Sequence, residues 1–187
     1  MKIGVLALQG AFLEHRKMLK KLGIDSFEIR QNRDILCDFD GLILPGGESS
    51  VMGKLLNELG LMQILKQKIA DGMPVFGTCA GMILLAKEID NDRARHLALM
   101  DIQVKRNAYG RQLGSFDAKE KFADKMVDMR FIRAPYVSKI LSNEVEILSV
   151  VDEKIVAVRQ KNMLATAFHP ELLDDLQIHR YFVKMLK

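Results

Sequence analysis

Residues 75–85 read Val-Phe-Gly-Thr-Cys-Ala-Gly-Met-Ile-Leu-Leu, and this stretch decides the fold. A short apolar run enters a Gly-x-Cys-x-Gly segment and a helix-like apolar run leaves it, which is the strand–turn–helix pattern of a nucleophile elbow. Gly77 and Gly81 lack the side chains that would clash in so tight a bend. Cys79 then stands at the tip, where its thiolate is a strong nucleophile and the following helix N-terminus favours negative charge. The alternative is a buried cysteine at a strand end, the more common setting for a lone cysteine.

The bulk composition is that of an ordinary globular protein. With 187 residues, of which 49% are hydrophobic and 28% charged, the chain is long enough for one domain over residues 1–187. The net charge of +4 is mild and spread along the sequence, which gives no case for nucleic acid binding. Two cysteines imply no disulfide framework, and no apolar stretch approaches the ~20 residues that span a membrane. We expect a cytoplasmic protein without a membrane contact, a cofactor or a metal site.

The first half of the chain alternates strand-like and helix-like segments. Strands are predicted over 3–8, 27–30, 41–44 and 74–77, and helices over 12–22, 48–59, 61–70 and 80–87. This alternation is typical of a parallel sheet covered by helices on both faces, in which sites lie at the carboxyl ends of the strands. The loops after three of these strands therefore meet at one edge of the sheet.

The second half has a different pattern. Short β-like segments are predicted over 102–105, 146–150, 155–160 and 164–168, a polar loop over 107–127, and an amphipathic helix over 174–186. We therefore predict an α/β fold with three layers: a mostly parallel central sheet, helices on both faces, and a smaller antiparallel β portion.

A histidine and a glutamate follow the last β-like segment. Residues 168–171 read Phe-His-Pro-Glu, and Pro170 biases His169 toward an extended conformation that ends the strand. Glu171 is close enough in sequence to accept a hydrogen bond from the imidazole. A cysteine, a histidine base and an acid that orients it form a triad. Alone, the tripeptide is better explained as a strand-end histidine beside a solvated glutamate; its predicted position on the same edge as Cys79 favours the triad.

A glycine pair follows the third predicted strand. Residues 44–50 read Leu-Pro-Gly-Gly-Glu-Ser-Ser, and the glycines let backbone N–H groups face a ligand. One of those groups, with the N–H of Ala80, would stabilise an oxyanion. The alternative is a plain loop in which Ser49 or Ser50 caps the next helix.

Taken together, these motifs resemble the class I, or triad, glutamine amidotransferases. Leu-Pro-Gly-Gly, Gly-Thr-Cys-Ala-Gly and His-Pro-Glu occur in that family's order. Residues 4–12, 46–49, 106–112, 131–135 and 167–172 are further similar to the glutaminase subunits of pyridoxal 5′-phosphate synthase, so the resemblance runs over essentially the whole chain. One departure is the Ser-Ser-Val-Met at 49–52, where the family often has Ser-Thr-Thr-Met.

The resemblance implies a reaction and a set of roles. Cys79 would attack the side-chain amide of L-glutamine, with His169 as base and Glu171 orienting it, and the N–H groups of Gly47 and Ala80 would form the oxyanion hole. The glutamine-binding residues that it implies are Gly47, Glu48, Ser49, Arg106, Ile132 and Arg133. The ammonia would pass to a separate pyridoxal 5′-phosphate synthase subunit in a hetero-oligomeric complex.

Three alternatives remain open from the sequence. The chain could serve a different synthase, such as that of histidine biosynthesis, or be another cysteine hydrolase or chaperone-like protein with a related sheet. It could also be a regulatory subunit that keeps the fold without turnover. The residues at 106–112 and 131–135 argue against the first of these, and the intact Cys79, His169 and Glu171 against the last. Gln9, Gly10 and the helix after them are the candidate docking surface.

Overall fold

A mixed sheet of ten strands organises the chain, with a separate two-stranded sheet beside it. The computed structural model describes residues 1–106 and 114–186. Within those ranges the strands are β1 Lys2–Leu6, β2 Asp25–Ile29, β3 Gly41–Leu44, β4 Val75–Thr78, β5 Ala86–Ile89, β6 Met100–Lys105, β7 Ser115–Phe122, β8 Lys125–Ile132, β9 Tyr136–Ile140, β10 Glu146–Val151, β11 Lys154–Gln160 and β12 Met163–Thr166. The helices are α1 Phe12–Lys21, α2 Ser49–Glu58, α3 Met62–Ala70, α4 Ala80–Leu85 and α5 Gln177–Lys184, with 3-10 turns at Asn32–Leu36 and Pro170–Leu172. None of these helices is long and apolar enough to cross a membrane.

The strands β2, β1, β3, β4 and β12 lie side by side in that order and are all parallel. The connection from β1 to β2 runs one way along the sheet and that from β3 to β4 the other. Because such crossovers are right-handed, α1 and the α2–α3 pair lie on opposite faces. Side chains of β4 also contact helices on both faces: Phe76 packs on α1 and α5, whereas the next residue, Gly77, faces Gly81 and Leu85 of α4. The predicted mostly parallel sheet with helices on both faces is confirmed.

The antiparallel strands continue the same sheet. β11 pairs with β12, β10 and β9, and β9 pairs with β6. The turn between β10 and β11 has positive φ at Asp152 (47°) and Glu153 (61°), as tight hairpins need. β5 and β6 close the edge as a parallel pair.

The predicted loop over 107–127 is wrong for the part that the structure describes. β7 and β8 form a hairpin in register from Ser115 with Ile132 to Phe122 with Lys125, while residues 107–113 lie outside the described ranges. The reason is that half of the residues in β7 are charged, which hides its period-two pattern. In β8 the pattern is clear, since Val127, Met129 and Phe131 are buried on one face.

Other element boundaries differ from the prediction in physically simple ways. The helix predicted over 80–87 ends at Leu85, because Ala86–Ile89 pairs with β6 as an edge strand. The C-terminal helix begins at Gln177, after a loop, rather than at residue 174. β9 was not predicted, because its polar Ser and Lys interrupt a short strand.

Candidate functional site

The elbow at Cys79 is a strained turn between the central strand and a helix. Cys79 has φ 48° and ψ −98°, a conformation that costs free energy and persists only where the surroundings enforce it. Its N–H donates to the Thr166 carbonyl of β12 at 2.8 Å. Gly81 approaches β3 so closely that a Cβ would lie 2.1 Å from the Leu44 carbonyl oxygen. The strand–turn–helix predicted from residues 75–85 is therefore present, and it holds the thiol at the carboxyl end of β4.

The glycine loop lies beside the elbow, at the end of β3. The Gly46 carbonyl accepts the N–H of Ala11 at 3.0 Å, and the N–H of Glu48 donates to Gln9 Oε1 at 2.7 Å. The loop before α1 thus ties down the glycine loop by two hydrogen bonds. Helix α2 begins at Ser49 with Glu48 as its N-cap and no side-chain capping bond, so the alternative in which a serine caps the helix is wrong.

His169 follows β12 and is fixed at both its backbone and its ring. Its N–H donates to the Arg130 carbonyl of β8 at 2.8 Å, and its Nδ1 lies 2.7 Å from Glu171 Oε1. The ring also packs on the glycine loop, where a Cβ on Gly46 would lie 2.2 Å from His169 Cε1. The Pro170–Leu172 turn brings the Glu171 side chain, which is fully buried, behind the ring.

The surroundings of His169 favour its protonated form. Burial disfavours the imidazolium, but hydrogen bonds to Cys79 and Glu171 and the negative charge of both outweigh it and raise the pKa of His169 to about 10. At neutral pH the geometry therefore supports an imidazolium that donates to Cys79 on one side and to Glu171 on the other. This is the arrangement of an activated cysteine nucleophile.

A cavity of about 320 Å³ opens over Cys79 and His169. The structure brings most of the sequence-predicted site residues to its wall. The lining residues are Gln9, Gly47, Glu48, Ser49, Cys79, Ile83, Arg106, Ile132, Arg133 and His169. Two predicted residues do not line it: Glu171 lies behind His169, and Ala80 is buried directly after the elbow.

The two arginines at the cavity are in different environments. Arg106 donates to Asp92 Oδ2 at 2.6 Å and is half-buried, so much of its charge is already matched. Arg133 is exposed, and its backbone is held at φ 43° with its N–H donating to the Gly114 carbonyl at 2.7 Å. The rest of the motif that begins at Arg106, residues 107–112, lies outside the described ranges.

Some residues at the site were not predicted to be there. Gln9 was expected on a docking surface, and it lines the cavity as well. His15 lies on α1, and its ring lies close to Glu171. The only signal in the sequence was a polar residue at a core position of that helix, which does not by itself distinguish a functional group from a packed one.

Comparison with known proteins gives a family for this arrangement. The model of the SNO glutamine amidotransferase family matches residues 5–187. A Haemophilus influenzae (strain PittEE) protein named pyridoxal 5′-phosphate synthase subunit PdxT is 55% identical, with 100% of this chain and 99% of that protein covered. A protein of the same name from Streptococcus pneumoniae (strain CGSP14) is 54% identical over 100% of this chain and 98% of its own length.

Solved structures agree with the sequence comparison. A crystal structure described as a glutamine amidotransferase superposes with a TM-score of 0.91 at 42% identity, covering 98% of each chain. A GMP synthase component from Thermoplasma acidophilum has a TM-score of 0.71 at 19% identity, covering 100% of this chain and 94% of its own, which shows a shared fold only.

Proposed function

Because this chain belongs to the SNO glutamine amidotransferase family, we propose that it hydrolyses L-glutamine to L-glutamate and ammonia through Cys79, His169 and Glu171. The observation that carries the proposal is the meeting of Cys79 and His169 at one cavity, with Glu171 held against the His169 ring from behind. Cys79 comes from one chain segment and His169 and Glu171 from another, and a glycine loop lies beside them. We further propose that the ammonia passes to a separate pyridoxal 5′-phosphate synthase subunit, since full-length relatives at 53–55% identity carry that name.

The geometry supports the following sequence of steps. The Cys79 thiolate attacks the amide carbon, and the N–H groups of Gly47 and Ala80 stabilise the oxyanion that forms. Collapse breaks the C–N bond while His169 gives its proton to the departing nitrogen, which leaves ammonia and a γ-glutamyl thioester. Neutral His169 then takes a proton from water, and the hydroxide formed breaks the C–S bond to release glutamate. Glu171 orients the imidazole and stabilises its positive charge throughout.

The remaining cavity residues are proposed to bind the amino-acid end of glutamine. An α-carboxylate needs a cation or N–H donors, and an α-ammonium needs an acceptor. Arg106 and Arg133 offer the cations, and Glu48 or backbone carbonyls the acceptors. Gly47, Ser49 and Ile132 complete the wall.

The synthase subunit is proposed to dock beside Gln9. The loop at Gln9 and Gly10 contacts the glycine loop directly, and α1 follows it. A partner bound to this surface could therefore change the position of the Gly47 N–H in the oxyanion hole, because hydrogen bonds join the two loops. Residues 1–187 are proposed to form one domain. A cytoplasmic location is also proposed, because both cysteines are free and free thiols are usual in a reducing compartment.

A paired assay tests the proposal. Glutamate release from L-glutamine and formation of pyridoxal 5′-phosphate are measured for the chain with a cognate synthase subunit, with glutamine or ammonium chloride as the nitrogen source. Cys79→Ala is expected to abolish glutamate release and glutamine-dependent product, while ammonium-dependent product continues. Cys37→Ala is the matched control, because Cys37 is exposed and remote from the site. Glutamate release that survives Cys79→Ala contradicts the proposed chemistry, and release without transfer to the synthase contradicts the proposed partner.

A further inference from the structure

Two histidines with no part in the proposed steps lie buried behind the triad. His15 on α1 and His179 on α5 are both 0% exposed, although 164 positions separate them in the sequence. Their ring centroids are 5.2 Å apart, and Phe76 of β4 packs edge-on against both rings. Burying a polar ring costs free energy unless its nitrogens are hydrogen-bonded, so the partners of these nitrogens indicate what the two rings do.

The partners connect the histidine pair to Glu171. The two carboxylate oxygens of Glu171 are used differently: Oε1 lies 2.7 Å from His169 Nδ1, whereas Oε2 is buried and makes no hydrogen bond with any described residue. His15 Nε2 lies 3.5 Å from that second oxygen and 3.1 Å from Thr78 Oγ1. On the other side of the ring, His15 Nδ1 lies 3.0 Å from His179 Nε2.

Both rings are neutral at neutral pH. Burial lowers the pKa of His179 to about 4, and burial, His179 and His169 together hold the pKa of His15 well below its usual value. Two neutral imidazoles carry one N–H each, so the hydrogen bond between His15 Nδ1 and His179 Nε2 can be donated by either ring.

The arrangement in which His179 is the donor has the lower free energy. If His179 Nε2–H donates to His15 Nδ1, the N–H of His15 is on Nε2 and points toward Thr78 and Glu171. The only cost is a lone pair on His179 Nδ1, which has no partner among the described residues. In the opposite arrangement, an N–H on His179 Nδ1 would be buried without an acceptor, and a lone pair on His15 would face the carboxylate. An unmade donor and a repulsive contact make that arrangement the costlier one.

We propose that His15 is a positioning residue for Glu171, and that His179 fixes the tautomer in which His15 acts. The Nε2–H of His15 donates to Thr78 Oγ1, and Nε2 also lies 3.5 Å from the oxygen that His169 leaves unused, so the positive end of the N–H attracts that oxygen and resists rotation of the carboxylate away from the imidazolium. The proposal rests on the proposed function, because it concerns the same triad. His15 touches neither substrate nor the reacting atoms; it acts through Glu171.

Steady-state kinetics of the complex with the synthase subunit test this role. His15→Leu is expected to lower kcat for glutamine hydrolysis by about tenfold, well short of the roughly 10⁴-fold loss when a triad loses its acid. KM should change by less than about twofold, since no group that binds substrate is removed. His15→Gln keeps an N–H near the position of Nε2 and is expected to recover most of kcat. Equal kcat values for wild type and His15→Leu would overturn the proposal.

A double-mutant cycle with Glu171→Gln separates positioning from packing. If His15 acts through Glu171, His15→Leu lowers kcat in the wild-type background but has little further effect once the carboxylate is gone. If both backgrounds lose the same factor, His15 acts independently of Glu171 and is only a packed core residue.

Two further variants separate an effect on the triad from a loss of stability. Leu19→Val, a buried change on the same helix without a polar contact to the triad, is the control for loss of stability and is expected to keep kcat. His179→Phe removes the donor that sets the tautomer but keeps an aromatic ring, and is expected to lower kcat severalfold in folded protein. An unchanged kcat in His179→Phe contradicts the tautomer assignment.

The proposed function and the positioning role fail under different outcomes. If Cys79→Ala leaves turnover intact, the proposed function falls and the positioning role with it. If turnover depends on Cys79 but the His15 and His179 variants have wild-type kcat, only the positioning role is wrong.

Discussion

The parallel and antiparallel halves of the β structure contribute to the site in different ways. In the parallel half, which we define as β1–β4 and β12, reactive groups are placed by the main chain and by missing side chains: Cys79 sits on a strained turn, and His169 fills space left by Gly46. In the antiparallel half, defined as β6 and β9–β11 together with the separate β7–β8 hairpin, the contribution is a wall of side chains, with Ile132 and Arg133 at the cavity.

The polar groups behind the triad and those on the β7–β8 hairpin differ in their exposure to solvent. The parallel half holds neutral histidines against a carboxylate with no exposure, whereas the β7–β8 hairpin carries ion pairs such as Arg130 with Asp117 in solvent. Where the halves meet, a backbone hydrogen bond joins His169 to the Arg130 carbonyl. Changes at the elbow or around His169 in the parallel half should therefore alter kcat, and changes in the antiparallel half should alter KM or nothing.

The largest effect is expected from a methyl group added to the glycine loop. A Cβ at position 46 would overlap the His169 ring, which must then shift. Gly46→Ala should lower kcat by roughly 10²-fold or more, because a displacement of about 1 Å in a catalytic group has this consequence. Gly114→Ala in the antiparallel half is the control, since its Cβ would meet no described atom within 4 Å. Similar kcat values for the two variants, measured with the synthase subunit, would remove the distinction between the halves.

The next effect is on stability, through the buried histidines of the parallel half. The pKa of His179 is about 4 in the folded chain and near 6.5 when unfolded, so the unfolded state binds the proton more tightly. Stability is therefore kept above about pH 6.5 and lost as the pH falls toward 4, by about 3 kcal/mol over that range. Urea unfolding of wild type and His179→Phe across this range measures it. The difference in the free energy of unfolding between them should change with pH; parallel curves would contradict the assignment.

A smaller effect is expected in KM from the antiparallel half. The Arg133 guanidinium forms no ion pair with a residue of the described ranges, whereas Arg106 is committed to Asp92. Arg133→Gln should raise KM for glutamine by roughly tenfold, as loss of a charged hydrogen bond does, with kcat changed little. Arg106→Gln provides the comparison and should raise KM less. The reverse order would assign the substrate carboxylate to Arg106.

The sequence predicted the parallel half well because its signals are local. Gly41–Leu44 was predicted to the residue as β3, since an apolar run ends at a Pro-Gly-Gly turn. The elbow at Cys79 and the strand end at His169 are likewise marked by neighbouring glycine and proline. Their meeting at one edge follows from the parallel order of β3, β4 and β12.

The rest depends on contacts that no local pattern encodes. The β7–β8 hairpin was missed because most of β7 faces solvent and its charged residues hide the apolar alternation of Phe116, Ala118 and Phe122. The approach of His15 to His179 arises only when α1 and α5 pack on the same face of β4. The hydrogen bond from Glu48 to Gln9 likewise joins two loops that are 39 positions apart.

The smallest effect is expected on the outer hairpin. Asp117 accepts two hydrogen bonds from Arg130, at 2.8 and 2.9 Å, but both side chains are exposed. Exposed ion pairs gain little, because solvent screens them and two long side chains lose freedom. The carbonyl of Arg130 that holds His169 belongs to the main chain and survives a side-chain change. Asp117→Asn should therefore leave the free energy of unfolding, kcat and KM almost unchanged. A marked loss of kcat in this variant would show that the ion pair on the β7–β8 hairpin affects the position of His169. The two halves would then not contribute to kcat and KM separately.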